Sequence, residues 1–327
     1  MKTDLSILIV TYNSAPLIAG LLDELHRQLN ASSGIKAEVI VVDNASTDAT
    51  ADLIAHDYRW VSLVRSARNL GFAAGNNLAA RQARGEFLLL LNPDAVPAPA
   101  ALTAGVELMR AHPQVGLGGG KLLAPDGTPQ PSARMFPTLR DELFTMSGLA
   151  ARYPQSPLLA RLDRRWADPE LAAAVDWIPG AFVFIRRNVW DTLGGFDERF
   201  FMYYEEVDLC RRLQDKGLIV QYWPALKATH IGGASARTVA RARVSRAGSQ
   251  LESWRMRSAL LYYRKHHGPA AAWGWKTLES CWTLLRRLRN RAAGRVEQLQ
   301  ELRAHSRQLA QAWHDTRGGR LSPAKPW

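Results

Sequence analysis

Four short apolar runs, separated by segments of helical periodicity, set the tightest limit on how this chain folds. Residues 5–10, 38–42, 60–64 and 86–91 are rich in Leu, Ile and Val and lack a helical period. Strands buried on both faces read this way, because neither face meets water. Between them Leu17, Ile18, Leu21, Leu22 and Leu25 recur at helical spacing. Ser46-Thr47-Asp48 offers capping groups for a second helix, and small residues from Gly71 to Ala83 form a third. Strands alternating with helices predict right-handed βαβ units and a parallel sheet covered on both faces. Beyond Asp94 the alternation weakens. Residues 102–109 read as helix, 115–123 as extended chain, and Asp126-Gly127 as a turn. Residues 131–174, rich in Pro and Arg, read as a partly helical or mobile insertion. A strand with a sharp bend is expected over 177–185, a helix over 187–193 closed by Gly194-Gly195, and a strand over 218–222.

In such a sheet the ligand site lies beyond the carboxyl ends of the strands. Three polar clusters fall there: Thr11–Ser14, Asp43–Ser46 and Asn92–Asp94. Each alone also reads as a loop of turn-forming residues. Farther on, Phe200, Phe201, Tyr203 and Tyr204 precede Glu205, Glu206 and Asp208. Burial among aromatics raises a carboxyl pKa toward neutrality, which suits a general base. Asp208 is expected to cap the helix that begins nearby. The competing reading is a solvated acidic helix start.

The charge is uneven. Residues 1–236 carry 23 Lys and Arg against 25 Asp and Glu, whereas residues 237–327 carry 19 against 5. The boundary at 236/237 separates an α/β unit from a basic, Trp- and Arg-rich helical region. In that region Trp273, Trp275, Leu278, Trp282, Leu285 and Leu288 recur at helical spacing among arginines. This pattern fits an anionic membrane surface or an anionic acceptor, with solvated arginines on a packing helix as the plainer reading. Nucleic acid is not expected, since no reading motif accompanies the charge. Residues 293–315 extend the region as a polar helix, a possible seam for a homo-oligomer. No run of 18 apolar residues spans a membrane, and residues 1–10 carry no leader pattern. Cys210 and Cys281 lack metal-motif spacing and fit a reducing compartment.

The ordered motifs resemble the inverting glycosyltransferases of family 2. They are Thr11-Tyr12-Asn13-Ser14, residues 41–48, residues 69–77, Leu91-Asn92-Pro93-Asp94, residues 194–202, the Glu205-Glu206 pair, and His230-Ile231-Gly232-Gly233. The resemblance covers roughly residues 4–236 and is nearest to bacterial rhamnosyltransferase-like members. It implies the GT-A fold: α/β, Rossmann-like, with a mostly parallel central sheet and helices on both faces, here followed by the basic helical region. It implies that Asp43 contacts the nucleotide base, with Thr11 and Asn13 lining the same pocket and Asn69, Gly75 and Asn76 near the nucleotide. Asp94 matches the second aspartate of the family's DxD motif and implies binding of Mg2+ or Mn2+ and of the donor diphosphate. Asn92 replaces the first aspartate, leaving fewer fixed charges there, and His230 completes the implied metal site. The family's base lies in a Glu-Asp pair. Here Glu206 occupies its position one methylene longer, so either the acceptor sits farther away or Glu205 takes the role. Trp177, Gly180 and Ala181 are expected to shape the donor-sugar and acceptor pocket. The resemblance thus implies a cytoplasmic enzyme at the inner face of the membrane. It would move rhamnose from dTDP-rhamnose, or another sugar from a UDP donor, onto a glycan or polyprenyl-diphosphate-linked acceptor. The Asn92 and Glu206 departures leave a weakly catalytic sugar-nucleotide-binding scaffold as the contrasting expectation.

Overall fold

The apolar runs become the centre of a mixed sheet in the structure, a computed structural model that describes residues 3–31, 34–231 and 250–323. Strands β1 (Leu5–Thr11), β2 (Ala37–Asp43), β3 (Ser62–Arg65) and β4 (Phe87–Leu91) pair in parallel in the order β3-β2-β1-β4. Helices α1 (Ala15–Ala31), α2 (Thr50–Asp57) and α3 (Gly71–Gln82) connect them. Leu5, Ile7 and Ile9 of β1 join Ile18, Leu21, Leu22 and Leu25 of α1 in one core. Leu8 joins Ala73, Ala79 and Ala80 of α3 in the other. A strand between two helical layers needs apolar residues on both faces, which is why the runs are continuous.

The chain then adds β5 (Ala95–Pro97), α4 (Ala101–Ala111), β6 (Val115–Leu123), β7 (Pro129–Gln130), α5 (Leu139–Met146), α6 (Leu149–Arg152) and β8 (Ala173–Val175). After these come β9 (Phe182–Arg186), α7 (Arg187–Leu193), α8 (Glu205–Gln214) and β10 (Ile219–His230). The sheet path is β3-β2-β1-β4-β9-β6-β10-β5. On it β9 and β5 run against the remaining strands, whose shared direction fits the expected mostly parallel sheet.

Several local expectations need correction. The second helix starts at Thr50, because Thr47 N–H is taken by Asn13 Oδ1 and Asp48 Oδ1 accepts from Thr50 N at 3.0 Å. Residues 177–181 are not strand: Trp177 makes an isolated bridge to Arg134, and β9 begins only at Phe182, after Pro179. The strand expected over 218–222 runs on to His230, with a register shift across Pro224. Residues 131–174 are packed. Phe136 is buried, and ion pairs join Arg134 to Asp163 and Arg161 to Asp141.

Helices α9 (Gln250–His267), α10 (Pro269–Ala292) and α11 (Val296–Asp315) follow. Met256, Leu260, Tyr262, Tyr263, Trp275, Leu309 and Ala312 belong to the same apolar cluster as Leu209 and Leu213 of α8. These helices therefore complete the core on one face of the sheet. The boundary at 236/237, Gly232-Gly233 and the arginine run from Arg237 to Arg246 lie outside the described residues.

Asp208 does not cap α8. It lies one turn inside, fully buried, and meets Arg212 Nε at 2.8 Å, His266 Nε2 at 2.7 Å and Lys265 Nζ at 2.5 Å. Burial acts to raise its pKa, but His266, Arg212 and Lys265 outweigh it and hold the carboxyl below its ordinary 3.8. This cluster pins α9 to α8. A depressed folded pKa contributes stability above the unfolded value that is lost as pH falls through the folded one. Asp208→Asn is expected to lower the unfolding free energy by about 3–5 kcal/mol at neutral pH, since it strands buried cations. Denaturant unfolding across pH will show that difference shrinking below about pH 4.

Candidate active site

The ends of β1 and β2 bring Thr11 and Asp43 into register. Thr11 Oγ1 and Asp43 Oδ1 are buried without hydrogen-bond partners among the described residues, while Asp43 Oδ2 accepts from Ser46 N at 3.1 Å. A buried acceptor without a donor is costly, so this pair holds capacity for a ligand's polar edge. Asn13, with φ of 49°, is engaged within the protein: its Oδ1 accepts from Thr47 N at 2.8 Å and its N–H donates to Ser46 Oγ at 2.9 Å. Asn69 Oδ1 accepts from Asn44 Nδ2 at 3.0 Å and Gly71 N at 2.9 Å. Asn76 is buried and donates to the Phe72 carbonyl. Gly75 lies where a Cβ would meet Val10 Cγ1 at 2.8 Å, so α3 presses on β1.

At the end of β4, Asn92 N donates to the Ala181 carbonyl at 3.0 Å, which joins that loop to the start of β9. Asp94 follows. The antiparallel pairing of β5 with β10 sets His230 opposite Ala95, and Ile231 N donates to the Asp94 carbonyl at 3.1 Å. As a result His230 Nε2 lies 3.4 Å from Asp94 Oδ1, while Nδ1 faces Gln130 Oε1 at 2.9 Å. Among the described residues no three His, Cys, Asp or Glu side chains gather as a metal cluster. Asp94 and His230 bring together one carboxylate oxygen and one imidazole nitrogen, a set of two candidate donors. That set fits Mn2+ or Mg2+ when diphosphate oxygens and water supply the remaining positions.

The carboxylates are aimed by an unusual backbone. Tyr203 and Tyr204 have φ of 70° and 67°, a region bulky residues avoid. Helix α9 holds them there. Trp254 packs on Phe201 at 4.3 Å between ring centres, Ser258 Oγ donates to the Met202 carbonyl at 2.8 Å, and Tyr262 packs on Tyr204 at 5.3 Å. Gly71, with φ of 81°, completes the clamp, because a Cβ there would strike the Phe201 carbonyl. Helix α8 then opens with Glu205 and Glu206. Glu205 is 4% exposed, and its Oε2 has no hydrogen-bond partner among the described residues. Burial, then the charge of Glu206, pushes its pKa well above the ordinary 4.5. Glu206 is half-buried, and burial raises its pKa too, while the Arg134 cation opposes the rise. Its Cβ lies 4.0 Å from where a Cβ of Gly180 would be, so Glu206 neighbours the loop that also carries Ala181 and, through it, Asn92.

Arg134 and Gln130 lie against the candidate site residues Trp177 and His230, and the sequence did not single them out. Arg134 pairs with Asp163 at 2.5 Å and stacks 4.4 Å above the Trp177 ring, whose Nε1 donates to Met135. Nothing local distinguishes it from the other arginines of residues 131–174. Glu142 is likewise drawn in, with Tyr263 OH donating to it at 3.2 Å.

Comparison with known proteins adds the family. Residues 6–155 match the family described as Glycosyl transferase family 2, and residues 87–289 match Glycosyl transferase family group 2. The N-acetylglucosaminyl-diphospho-decaprenol L-rhamnosyltransferase of Mycobacterium tuberculosis is 29% identical over 242 residues, covering 70% of this chain and 76% of its own. Rhamnosyltransferase WbbL of Escherichia coli is 26% identical over 235 residues, covering 68% of this chain and 82% of its own. The mannosyltransferase PcManGT from Pyrobaculum calidifontis, solved with GDP-Man and Mn2+, shares the fold at a TM-score of 0.55 and 18% identity, over 96% of this chain and 87% of its own. With strand-end polar clusters, a paired-carboxylate helix start and a family match that spans most of its length, this chain belongs to the family 2 glycosyltransferases.

Proposed function

We propose that the chain transfers rhamnose from dTDP-rhamnose to a hydroxyl of a lipid-linked or surface glycan, with inversion at C1. The observation that carries this reading is Glu206, half-buried with a raised pKa, beside the Gly180-Ala181 loop that reaches Asn92. The names of the relatives support the sugar and the lipid-linked acceptor. In the proposed step the acceptor oxygen forms a bond to C1 while the bond from C1 to the diphosphate oxygen breaks. The hydroxyl proton passes to the Glu206 carboxylate, and the nucleoside diphosphate leaves with the bonding electron pair. Asp94 and His230 would hold a divalent cation, which when bound neutralises charge developing on the diphosphate. Thr11 and Asp43 would receive the base, and Trp177 with Arg134 would wall the sugar pocket. A thermal-shift screen of dTDP-, UDP- and GDP-sugars with and without Mn2+ tests the donor. The expected result is a rise in melting temperature of several degrees with dTDP-rhamnose and Mn2+, the size of a ligand near 100 times its Kd. A rise with a UDP-sugar alone replaces the donor, and no rise with any favours the scaffold reading.

The two glutamates make separate predictions. Glu205 is buried, and burial with the charge of Glu206 pushes its carboxyl pKa well above the ordinary 4.5, which favours the neutral acid, so Glu205→Gln is expected to keep kcat within several-fold. Glu206→Gln removes the proton acceptor and is expected to lower kcat by about 10²–10⁴. The raised Glu206 pKa of the free protein places the acid limb of the wild-type kcat/KM profile above pH 4.5, with activity rising as pH rises. Steady-state kinetics of both variants across pH decides between them, and a dead Glu205→Gln with an active Glu206→Gln reverses the roles.

The acceptor side points to a membrane surface. Helix α10 turns Glu279, Thr283 and Asn290 inward and leaves Trp273, Leu284, Leu285 and Leu288 exposed at 53–60%. At 100° per residue these four occupy one face, with exposed Arg289 and Arg291 along it. No helix among the described residues is long and apolar enough to cross a membrane. An apolar stripe edged by arginine suits an anionic interface. Because the C-terminal helices share the core, point variants test this better than truncation. Leu285→Glu with Leu288→Glu in the full chain is expected to weaken sedimentation with phosphatidylglycerol vesicles at least tenfold. Binding as tight as the wild type overturns the assignment.

A further inference from the structure

We propose that Gln130 is a positioning residue that sets the tautomer and aim of His230, and so prepares the Asp94–His230 pair for a divalent cation. The inference rests on the metal reading above but concerns a residue outside the family motifs quoted for it. Gln130 ends β7, the short return strand of the hairpin with β6, where it pairs with Leu122. Its backbone is braced: Ser132 Oγ donates to the Gln130 carbonyl at 2.9 Å and accepts from Leu122 N at 3.0 Å. Its side chain makes two contacts with one residue. Nε2 donates to the His230 carbonyl at 2.7 Å, and Oε1 lies 2.9 Å from His230 Nδ1.

The two contacts fix each other. A carbonyl accepts only, so the amide group facing it must be the NH2, and the oxygen is left for the ring. An oxygen beside Nδ1 requires a hydrogen on Nδ1. In the neutral imidazole the lone pair is then on Nε2, the nitrogen 3.4 Å from Asp94 Oδ1. A lone pair facing a carboxylate oxygen, both largely buried, is unfavourable until positive charge lies between them, as a proton on Nε2 or as a bound cation. A divalent cation supplies it. The same hydrogen bond makes Nε2 a stronger ligand and stops the ring turning, and loss of such a supporting group weakens metal binding by about 10–100-fold. Gln130 holds His230 from one side while the β5 pairing and the Ile231 bond to the Asp94 carbonyl hold it from the other. The distance between the two ligands is thereby set before either metal or donor arrives.

The test compares the full-length wild type with Gln130→Met, Gln130→Glu and His230→Ala. Mn2+ affinity is read by electron paramagnetic resonance, alone and with dTDP or UDP. Nitrogen NMR of labelled histidine reads which ring nitrogen of His230 carries hydrogen, and thermal melting reports folding. Methionine matches glutamine in length but can neither donate to the carbonyl nor accept from the ring. Glutamate keeps the acceptor. The expected result is Nδ1–H in the wild type, Mn2+ binding weakened about tenfold or more in Gln130→Met at a near-unchanged melting temperature, and binding within several-fold of wild type in Gln130→Glu. A wild-type ring with hydrogen on Nε2 and none on Nδ1 overturns the inference without any variant. Wild-type affinity in Gln130→Met while His230→Ala loses binding overturns it and leaves the metal reading standing. Wild-type binding no tighter than that of His230→Ala overturns both.

Discussion

Two consecutive tyrosines held in the left-handed backbone region aim the carboxylates, and most of what is distinctive in this structure serves to keep them there. Tyr203 and Tyr204 would relax if left alone, since each left-handed bulky residue costs about 1–2 kcal/mol. They do not relax because Trp254, Ser258 and Tyr262 of α9 lie against residues 201–204, and Asp208 ties α8 to Lys265 and His266 one to two turns farther along α9. The helical C-terminal region thus supports the start of α8 directly. The strain sits immediately before the two glutamates, where a small backbone change would redirect both side chains.

That dependence explains which parts of the molecule were legible in the sequence. The strands at residues 5–10, 38–42 and 86–91 were readable because burial on both faces is written into each residue of the run. The polar clusters at their ends followed from the topology. Asp208 was misread for a local reason: a short acid near a helix start resembles a cap, and the cations it meets at positions 265 and 266 are far away in sequence. Gln130 and Arg134 were hidden in the same way, since their partners are His230 and Trp177. Residues 131–174 read as loose because proline and arginine mark loops. Arg134 and Arg161 instead meet Asp163 and Asp141 within the same segment and fix it.

Helix α10 shows a different limit. Periodicity in Trp and Leu reports that a helix has an apolar stripe, but it does not say which stripe faces inward. Here Trp275 turns inward, as expected of an apolar residue, yet Glu279, Thr283 and Asn290 do so as well, and His305 of α11 lies 3.3 Å from Glu279. Polar residues can face a neighbouring helix when they find partners there. Leu284, Leu285 and Leu288 are left outward, each more than half exposed. The basic charge of this region reads more sharply in that light: arginines beside an exposed apolar stripe differ from arginines that merely solvate a packing helix.

The Asn92 departure fits the same economy of fixed charge. With a second aspartate in place of Asn92, two carboxylates would repel each other until a cation arrived, and a cation would bind strongly without the donor. With Asn92, Asp94 is the single acid of the motif, and its counterpart is His230, whose Nδ1 faces Gln130. Two protein ligands leave most of a divalent ion's six positions open. On the proposed reading the donor diphosphate would supply the missing negative charge, so the cation would be held more tightly with the nucleotide sugar than alone. Such a site would depend on the bound donor for much of its hold on the metal. It must therefore be preorganised by neutral hydrogen bonds, because it lacks the charge to assemble itself.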